Sequence, residues 1–334
     1  MKIGYFLPYF AVTVGSFGGL KMQALQWKEM LQKKGNDVVE ITPWGTYDWN
    51  SFDVIQFFFF GSSFFSIYEE IKLRASRAKF VCAPILDPHY PLLVYQILSK
   101  ISFAKAKIFC DYCAPRKYQN LFDVFLARTQ YEKGFLHRAF GIPLEKIKIV
   151  PLNSRFAAIS EELPVKENFC LHVSRICDPT KNAMRLVEAA LKFNFRLILA
   201  GASTTSFDKE LQEKIGNAEN VQILGRVSDE TLVDLYKRAR VFALPSIREG
   251  VGLVALEAAS YGCDIVITNI GGPKEYFLPN AIAVNPKSVD EIGKAVMRFL
   301  NGETFQPSLK ESIAEKYSEG RVAEMLENAY REAL

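Results

Sequence analysis

Short apolar runs alternate with stretches of helical spacing along the chain, and this alternation leaves few folds open. Parallel strands are covered by helices on both faces, so each reads as a continuous apolar run rather than an alternating one. Residues 1–7, 37–41, 53–59, 79–83, 107–110, 124–127 and 148–150 form one series of such runs. Residues 169–174, 196–200, 221–224, 241–244 and 264–268 form a second. The stretches between them carry helical signals. Leu20, Ala24, Trp27, Met30 and Leu31 share one face before Gly35, a residue suited to a helix C-cap. Ser228 precedes Asp229 and Glu230, which is a good N-terminal signal. The expectation is an α/β protein of two successive α/β units joined near residues 152–165. Residues 310–334 read as a charged helix.

Length and composition agree with two globular domains. The chain has 334 residues, 49% hydrophobic and 23% charged, which excludes a disordered polymer. Six irregularly spaced cysteines are too few for a disulfide scaffold, and they point to the reducing cytoplasm. Cys110 and Cys113 have no second cysteine pair to complete a zinc site. The first ten residues read as a strand rather than a signal peptide, and no apolar stretch reaches the ~18 residues of a membrane span. Net charge is +4 but unevenly spread. Residues 1–154 hold 19 lysines and arginines against 12 acids, and residues 155–334 hold 22 against 25. A basic first half suits an anionic surface. No nucleic-acid-binding signature accompanies the charge, so no nucleic-acid partner is expected.

The richest stretch runs Leu244-Pro-Ser-Ile-Arg-Glu249-Gly-Val-Gly-Leu-Val-Ala-Leu-Glu257. An apolar strand ends at Pro245, and a loop with Glu249, Gly250, Val251 and Gly252 leads into a helix beginning near Leu253. Glycines admit a ligand close to the backbone, and the free amides of a first helical turn favour phosphate. Carboxylates repel phosphate but accept hydrogen bonds from hydroxyls. Glu249 and Glu257 therefore suit a phosphate flanked by two polyols. Either glutamate alone would read as an ordinary helix-turn acid.

Pro-Ser-x-x-Glu-Gly-x-Gly-Leu with a second glutamate after seven residues resembles the retaining GT-B glycosyltransferases of the family 4 type, the glycosyl transferases group 1. The similarity continues through Gly262, Gly271, Gly272 and Glu275, and it is strong over residues 169–276. The resemblance implies two Rossmann-like α/β/α domains facing across a cleft. Residues 1–154 would form the acceptor domain and residues 155–314 the nucleotide-sugar domain, with a helix at about 315–334 packing back on the first. Arg175 and Lys181 would grip the donor diphosphate, and two cations six residues apart across a turn can do so. Gly201 would form the glycine turn after the second strand of its unit. Arg226 and Val227 would flank the base, and Gly18 and Gly19 would form the N-terminal glycine loop. Glu257 would hold ribose, and Glu249 the sugar hydroxyls. The family's N-lobe histidine is absent from its usual place before Asp87, where Leu86 stands. His89 is the candidate replacement, with Asp87 beside it. The run into the linker also departs from the family, with Asn153-Ser-Arg-Phe in place of an Asn-Gly-Val-Asp type sequence.

The implied reaction moves a sugar from a UDP-, GDP- or ADP-sugar to a hydroxyl acceptor with retention, in bacterial-type surface polysaccharide or glycolipid synthesis. No resident cofactor is expected. The sequence has no Asp-x-Asp metal motif, so no metal is expected. The alternatives are a GT-B nucleotide-sugar epimerase and a non-catalytic nucleotide-sugar-binding subunit. An apolar segment from Tyr90 with Lys100, Lys105 and Lys107 at its end suits either a core helix or the inner face of an anionic membrane. The location expected is cytoplasmic, at or near that face.

Overall fold

In the computed structural model, residues 1–9, 11, 19–61, 64–101, 113–156 and 165–334 are described. Gly18, the expected strand at 107–110, Cys110, Lys105, Lys107 and most of the linker lie outside them. The chain divides into two compact units, residues 1–152 with 319–334, and residues 153–318. The sequence instead suggests units of 1–154 and 155–314 with a helix at about 315–334, so the boundaries differ by a few residues.

The first unit is built on six parallel strands: β1 (Lys2–Phe6), β2 (Asp37–Ile41), β3 (Val54–Phe58), β4 (Lys79–Ala83), β5 (Val124–Ala127) and β6 (Ile147–Ile149). Their order is β2-β1-β3-β4-β5-β6. The helices are α1 (Gly19–Lys33), α2 (Phe65–Arg74), α3 (Leu92–Leu98), α4 (Cys113–Tyr118) and α5 (Gln130–Phe140). Every residue of β3 is buried, as a central parallel strand requires. Its core is aromatic: Phe57 meets Tyr68 at 4.4 Å and Phe80 at 4.9 Å between ring centres. The apolar run does not continue as strand to Phe60. Phe59 takes a positive φ of 97°, which turns Phe60 into contact with Phe65, Phe122 and Phe125.

The second unit holds β7 (Glu167–Val173), β8 (Leu197–Ala200), β9 (Val221–Gly225), β10 (Ala239–Leu244), β11 (Asp264–Thr268) and β12 (Ile282–Val284). Its helices are α6 (Ala183–Phe193), α7 (Thr205–Ile215), α8 (Asp229–Arg238), α9 (Leu253–Ser260), α10 (Pro273–Phe277), α11 (Val289–Leu300) and α12 (Ser308–Lys316). The order β12-β11-β10-β7-β8-β9 is the doubly wound 3-2-1-4-5-6 pattern read from its other edge. Connections leave β7 and β10, which are neighbours, in opposite directions. Ligands of such sheets sit outside the carboxyl ends of the strands at that switch point.

The single helix expected at 310–334 is two. Tyr317 ends α12 by donating its hydroxyl to the Glu275 carbonyl at 3.2 Å and stacking on Tyr276. The last helix, α13 (Glu319–Ala333), then belongs to the first unit. It buries Val322, Leu326 and Tyr330, and Tyr330 hydrogen-bonds Tyr5 of β1 and Gln56 of β3.

Candidate functional site

The two loops that leave β7 and β10 are stitched to each other by backbone and amide bonds. After β7, Arg175 opens a turn closed by the bond from the Asp178 amide to its carbonyl. Asp178 caps a short 3-10 turn, Pro179–Lys181, by accepting from the Thr180 amide at 2.9 Å. Asn182 follows at φ 61°, a left-handed position that asparagine tolerates. Its buried amide donates to the carbonyls of Pro245 and Pro286 at 2.9 and 2.7 Å. The Ile247 amide donates to the Thr180 carbonyl at 2.8 Å. Lys181 is thereby held against the loop after β10.

There Lys181 Nζ meets Glu249 Oε2 at 2.8 Å, and Ser246 Oγ donates to the same oxygen at 3.1 Å. Gly252, at φ 86°, is the N-cap of α9, and an added Cβ there would lie 3.3 Å from Leu244. Gly271 approaches the Glu249 carbonyl so closely that a Cβ would lie 2.8 Å from it. The first amides of α9 have no acceptor within the helix, and they follow Gly252 directly. The result is a cation, a carboxylate and a helix N-terminus at the switch point. Arg175 is exposed six residues before Lys181 in the same loop. Burial pushes the Asp178 carboxyl up, but the Thr180 hydroxyl and amide, then Lys181 and Arg175, hold it below the ordinary value. Asp178 is thus charged and orders the cationic turn.

Glu257 does not join this group. It is buried on α9, accepting from Tyr236 OH at 3.0 Å and from Arg155 Nε at 2.6 Å. Arg155 also pairs with Asp229 at 2.9 Å. Tyr236 and Arg155 were missed in the sequence reading. Of the remaining candidates in this unit, Gly201 ends β8 and Arg226 and Val227 follow β9, Arg226 exposed and Val227 half-buried. Leu253 begins α9.

In the first unit, Gly19 begins α1. Asp87 is not a free acid: Arg128 Nη2 holds it at 2.9 Å. The same arginine is bound by Glu132, which also accepts from the Leu86 amide at 2.7 Å. Asp87 therefore tethers its loop, and Ile85 within it sits at a positive φ of 51°. His89 is exposed, and its amide donates to Tyr95 OH at 2.9 Å.

His172 lies on β7 as a structural residue. Nδ1 is 2.8 Å from the Ala243 carbonyl, which can only accept. Nδ1 therefore carries the proton, and Nε2 accepts from Ser174 Oγ at 2.8 Å. Burial pushes its pKa down to about 4, with Lys181 adding to the effect and the Ala243 carbonyl opposing it. The unfolded chain binds this proton first, near ~6.5. The neutral imidazole's contribution is therefore full above ~6.5 and is lost as pH falls toward 4. The lost part is about 3 kcal/mol. Denaturant unfolding against pH should show this slope in the wild type and a flatter one in His172→Gln. Parallel curves for the two proteins would remove the argument.

Comparison with known proteins agrees with this layout. The family described as glycosyl transferases group 1 matches residues 154–317. An uncharacterized glycosyltransferase of Methanocaldococcus jannaschii is 34% identical over 150 residues, covering 43% of this chain and 38% of that protein. The O-antigen chain mannosyltransferase B of Escherichia coli is 26% identical over 205 residues, covering 55% and 53%. The chain thus spans about half or less of the curated relatives it matches. The structure of a sucrose-phosphate synthase from Thermosynechococcus elongatus superposes with a TM-score of 0.76 at 16% identity, covering 99% of each chain.

Proposed function

We propose that the chain is a retaining glycosyltransferase, because residues 154–317 match the glycosyl transferases group 1 family and the whole chain has the GT-B fold. Its donor is a nucleoside-diphosphate sugar, and its acceptor is a hydroxyl of a surface glycan or glycolipid. The observation that carries this reading is the Lys181–Glu249 pair at 2.8 Å beside the start of α9. Cations and helix amides await a diphosphate there, and a carboxylate stands ready for the adjoining sugar.

When the bond from the anomeric carbon to the leaving phosphate breaks, the bond's electron pair stays with the diphosphate. Arg175, Lys181 and the amides after Glu249 stabilise that charge most when it is fully developed. Such an arrangement does the work of a divalent ion, so the reaction is proposed to be metal-independent. The acceptor proton passes to the departing phosphate on the same face, which gives retention. Glu249 orients the sugar, and Glu257 takes the ribose. The likeness to an O-antigen mannosyltransferase supports a polysaccharide product. The acceptor is assigned to the first unit.

The test is binding of UDP, GDP and ADP and their sugars by thermal shift, followed by donor turnover with and without acceptor extracts. One nucleotide should stabilise the protein. Glu257→Ala should weaken that nucleotide about tenfold or more while changing turnover at saturation little, since ribose contacts change little during reaction. Unaltered nucleotide affinity in this variant would contradict the ribose role. Formation of an epimer from donor alone would replace transfer by isomerisation.

A peripheral membrane contact is also proposed. No helix among the described residues is long and apolar enough to cross a bilayer. Yet α3 exposes Leu93 (64%) and Ile97 (50%), in line with Tyr90 and Ile101. Lys100 and Arg138 are exposed nearby, and the Gln96 side-chain amide donates to the Arg138 carbonyl. Apolar side chains rimmed by cations suit an anionic interface. The protein should co-sediment with anionic but not neutral vesicles, and Leu93→Glu with Ile97→Glu should abolish this. Equal sedimentation of the double variant would exclude this surface.

A further inference from the structure

Glu257 is only 2% exposed, so nothing can reach its carboxylate unless a neighbour moves. Two groups cover it. Tyr236 is fully buried on α8 and packs against Tyr261 and Phe242. It has nowhere to go. Arg155 is different. Its side chain is partly exposed and belongs to an irregular segment rather than a helix or strand. Its Nε donates to Glu257 at 2.6 Å and its Nη1 to Asp229 at 2.9 Å. Its guanidinium lies 4.3 Å over the Phe156 ring, which in turn abuts Tyr236 and Tyr261. Arg155 follows Leu152, where the chain leaves the first unit, by three residues.

We propose that Arg155 is a latch on the ribose subsite: in the nucleotide-free protein its guanidinium donates to Glu257 where the ribose hydroxyls would, and nucleotide binding requires it to swing away. This rests on the reading of Glu257 as the ribose acceptor. The exchange is chemically matched. The guanidinium N–H and the sugar O–H are both donors to one carboxylate oxygen. Tyr236 keeps its bond to the other oxygen throughout. Burial pushes the Glu257 carboxyl up, and Arg155 is the first of the groups that oppose this. Asp229, exposed at the start of α8, is the second anchor that holds the arginine in place.

A closed latch weakens nucleotide binding by the fraction of molecules in which it is open. Affinities of UDP, GDP and ADP, and of inorganic pyrophosphate, would be measured by titration calorimetry at mildly alkaline pH. Arg155→Met keeps the stem but not the donors. It should raise the ratio of nucleotide to pyrophosphate affinity about tenfold. Pyrophosphate has no ribose, so it corrects for the lost positive charge. An unchanged or lower ratio in a folded Arg155→Met protein overturns the latch. If that variant does not fold, Asp229→Asn loosens the same arginine without stripping Glu257. It should raise the ratio about threefold, and no rise overturns the proposal. Glu257→Gln separates this from the parent reading. If the wild type binds no nucleotide, or Glu257→Gln binds it as well as the wild type, the ribose assignment itself fails. If Glu257→Gln weakens binding while Arg155→Met does not strengthen it, only the latch fails.

Discussion

Alanine in place of Lys181 is expected to lower turnover about 10²- to 10³-fold, the range seen when one donor to a developing anion is removed. Arg175→Ala should do the same. The geometry makes Lys181 the sharper test. Its ammonium is fixed by a capped turn, by the Asn182 amide and by Glu249, so its position costs no rearrangement during reaction. The pair is largely shielded from solvent, Glu249 most of all, so removing the lysine leaves a poorly solvated carboxylate and the variant should also melt somewhat below the wild type. The loss should appear in kcat, because the charge on the leaving diphosphate is largest in the transition state. Lys181→Arg keeps the charge but not the compact head, and should recover part of the rate. Steady-state turnover with saturating donor decides the matter. Wild-type turnover by Lys181→Ala would exclude the clamp.

Gly201→Ala should be the most destabilising of these substitutions. Gly201 has φ +134°, and its Cβ would lie 1.7 Å from the carbonyl oxygen of Ser174. Neither group can step aside. The Ser174 amide donates to the Ala200 carbonyl at 3.1 Å, and the Gly201 amide to that of Gly225 at 2.7 Å. A side chain in such a conformation costs about 1–3 kcal/mol, and overpacking costs about as much again. A loss of about 4 kcal/mol would lower the melting midpoint by about 10 °C. Gly216→Ala is the control. Its φ of +58° is also positive, but a Cβ there meets nothing within 4 Å, so it should cost the backbone strain alone, about 1–3 kcal/mol. Equal midpoints for the two variants would show that the close approach to Ser174 is relieved. Ser174 precedes Arg175, so the strain would also displace a proposed phosphate ligand.

The fold was legible wherever one strand's apolar run carried its own boundaries, as at residues 79–83 and 264–268. It was less so at Phe57–Phe60, where four phenylalanines look alike and only the packing of Phe60 against Phe122 and Phe125 shows that the backbone turns at Phe59. The Lys181 and Glu249 loops were readable because strand, glycine and helix signals frame each of them. What joins them is not readable from spacing, since the pair lies 68 residues apart. Glu257 shows the same limit more strongly. Its partner Arg155 is 102 residues away and stands in a segment whose departure from the family pattern was the only sign of a changed role. Asp87 is a candidate site acid in the sequence because it stands where the resembling family carries a histidine followed by aspartate. Arg128, 41 residues on, makes it a tether instead.

The return of α13 to the first sheet sets the order in which the molecule can be completed. Synthesis runs from the first residue onward, so β1 and β3 emerge early with Tyr5 and Gln56 uncovered. Tyr330, their partner, follows all of residues 153–318 out of the ribosome. The first unit therefore cannot close until residues 153–318 have been made. Its nascent sheet must wait through the making of an entire second domain before its final helix seals it.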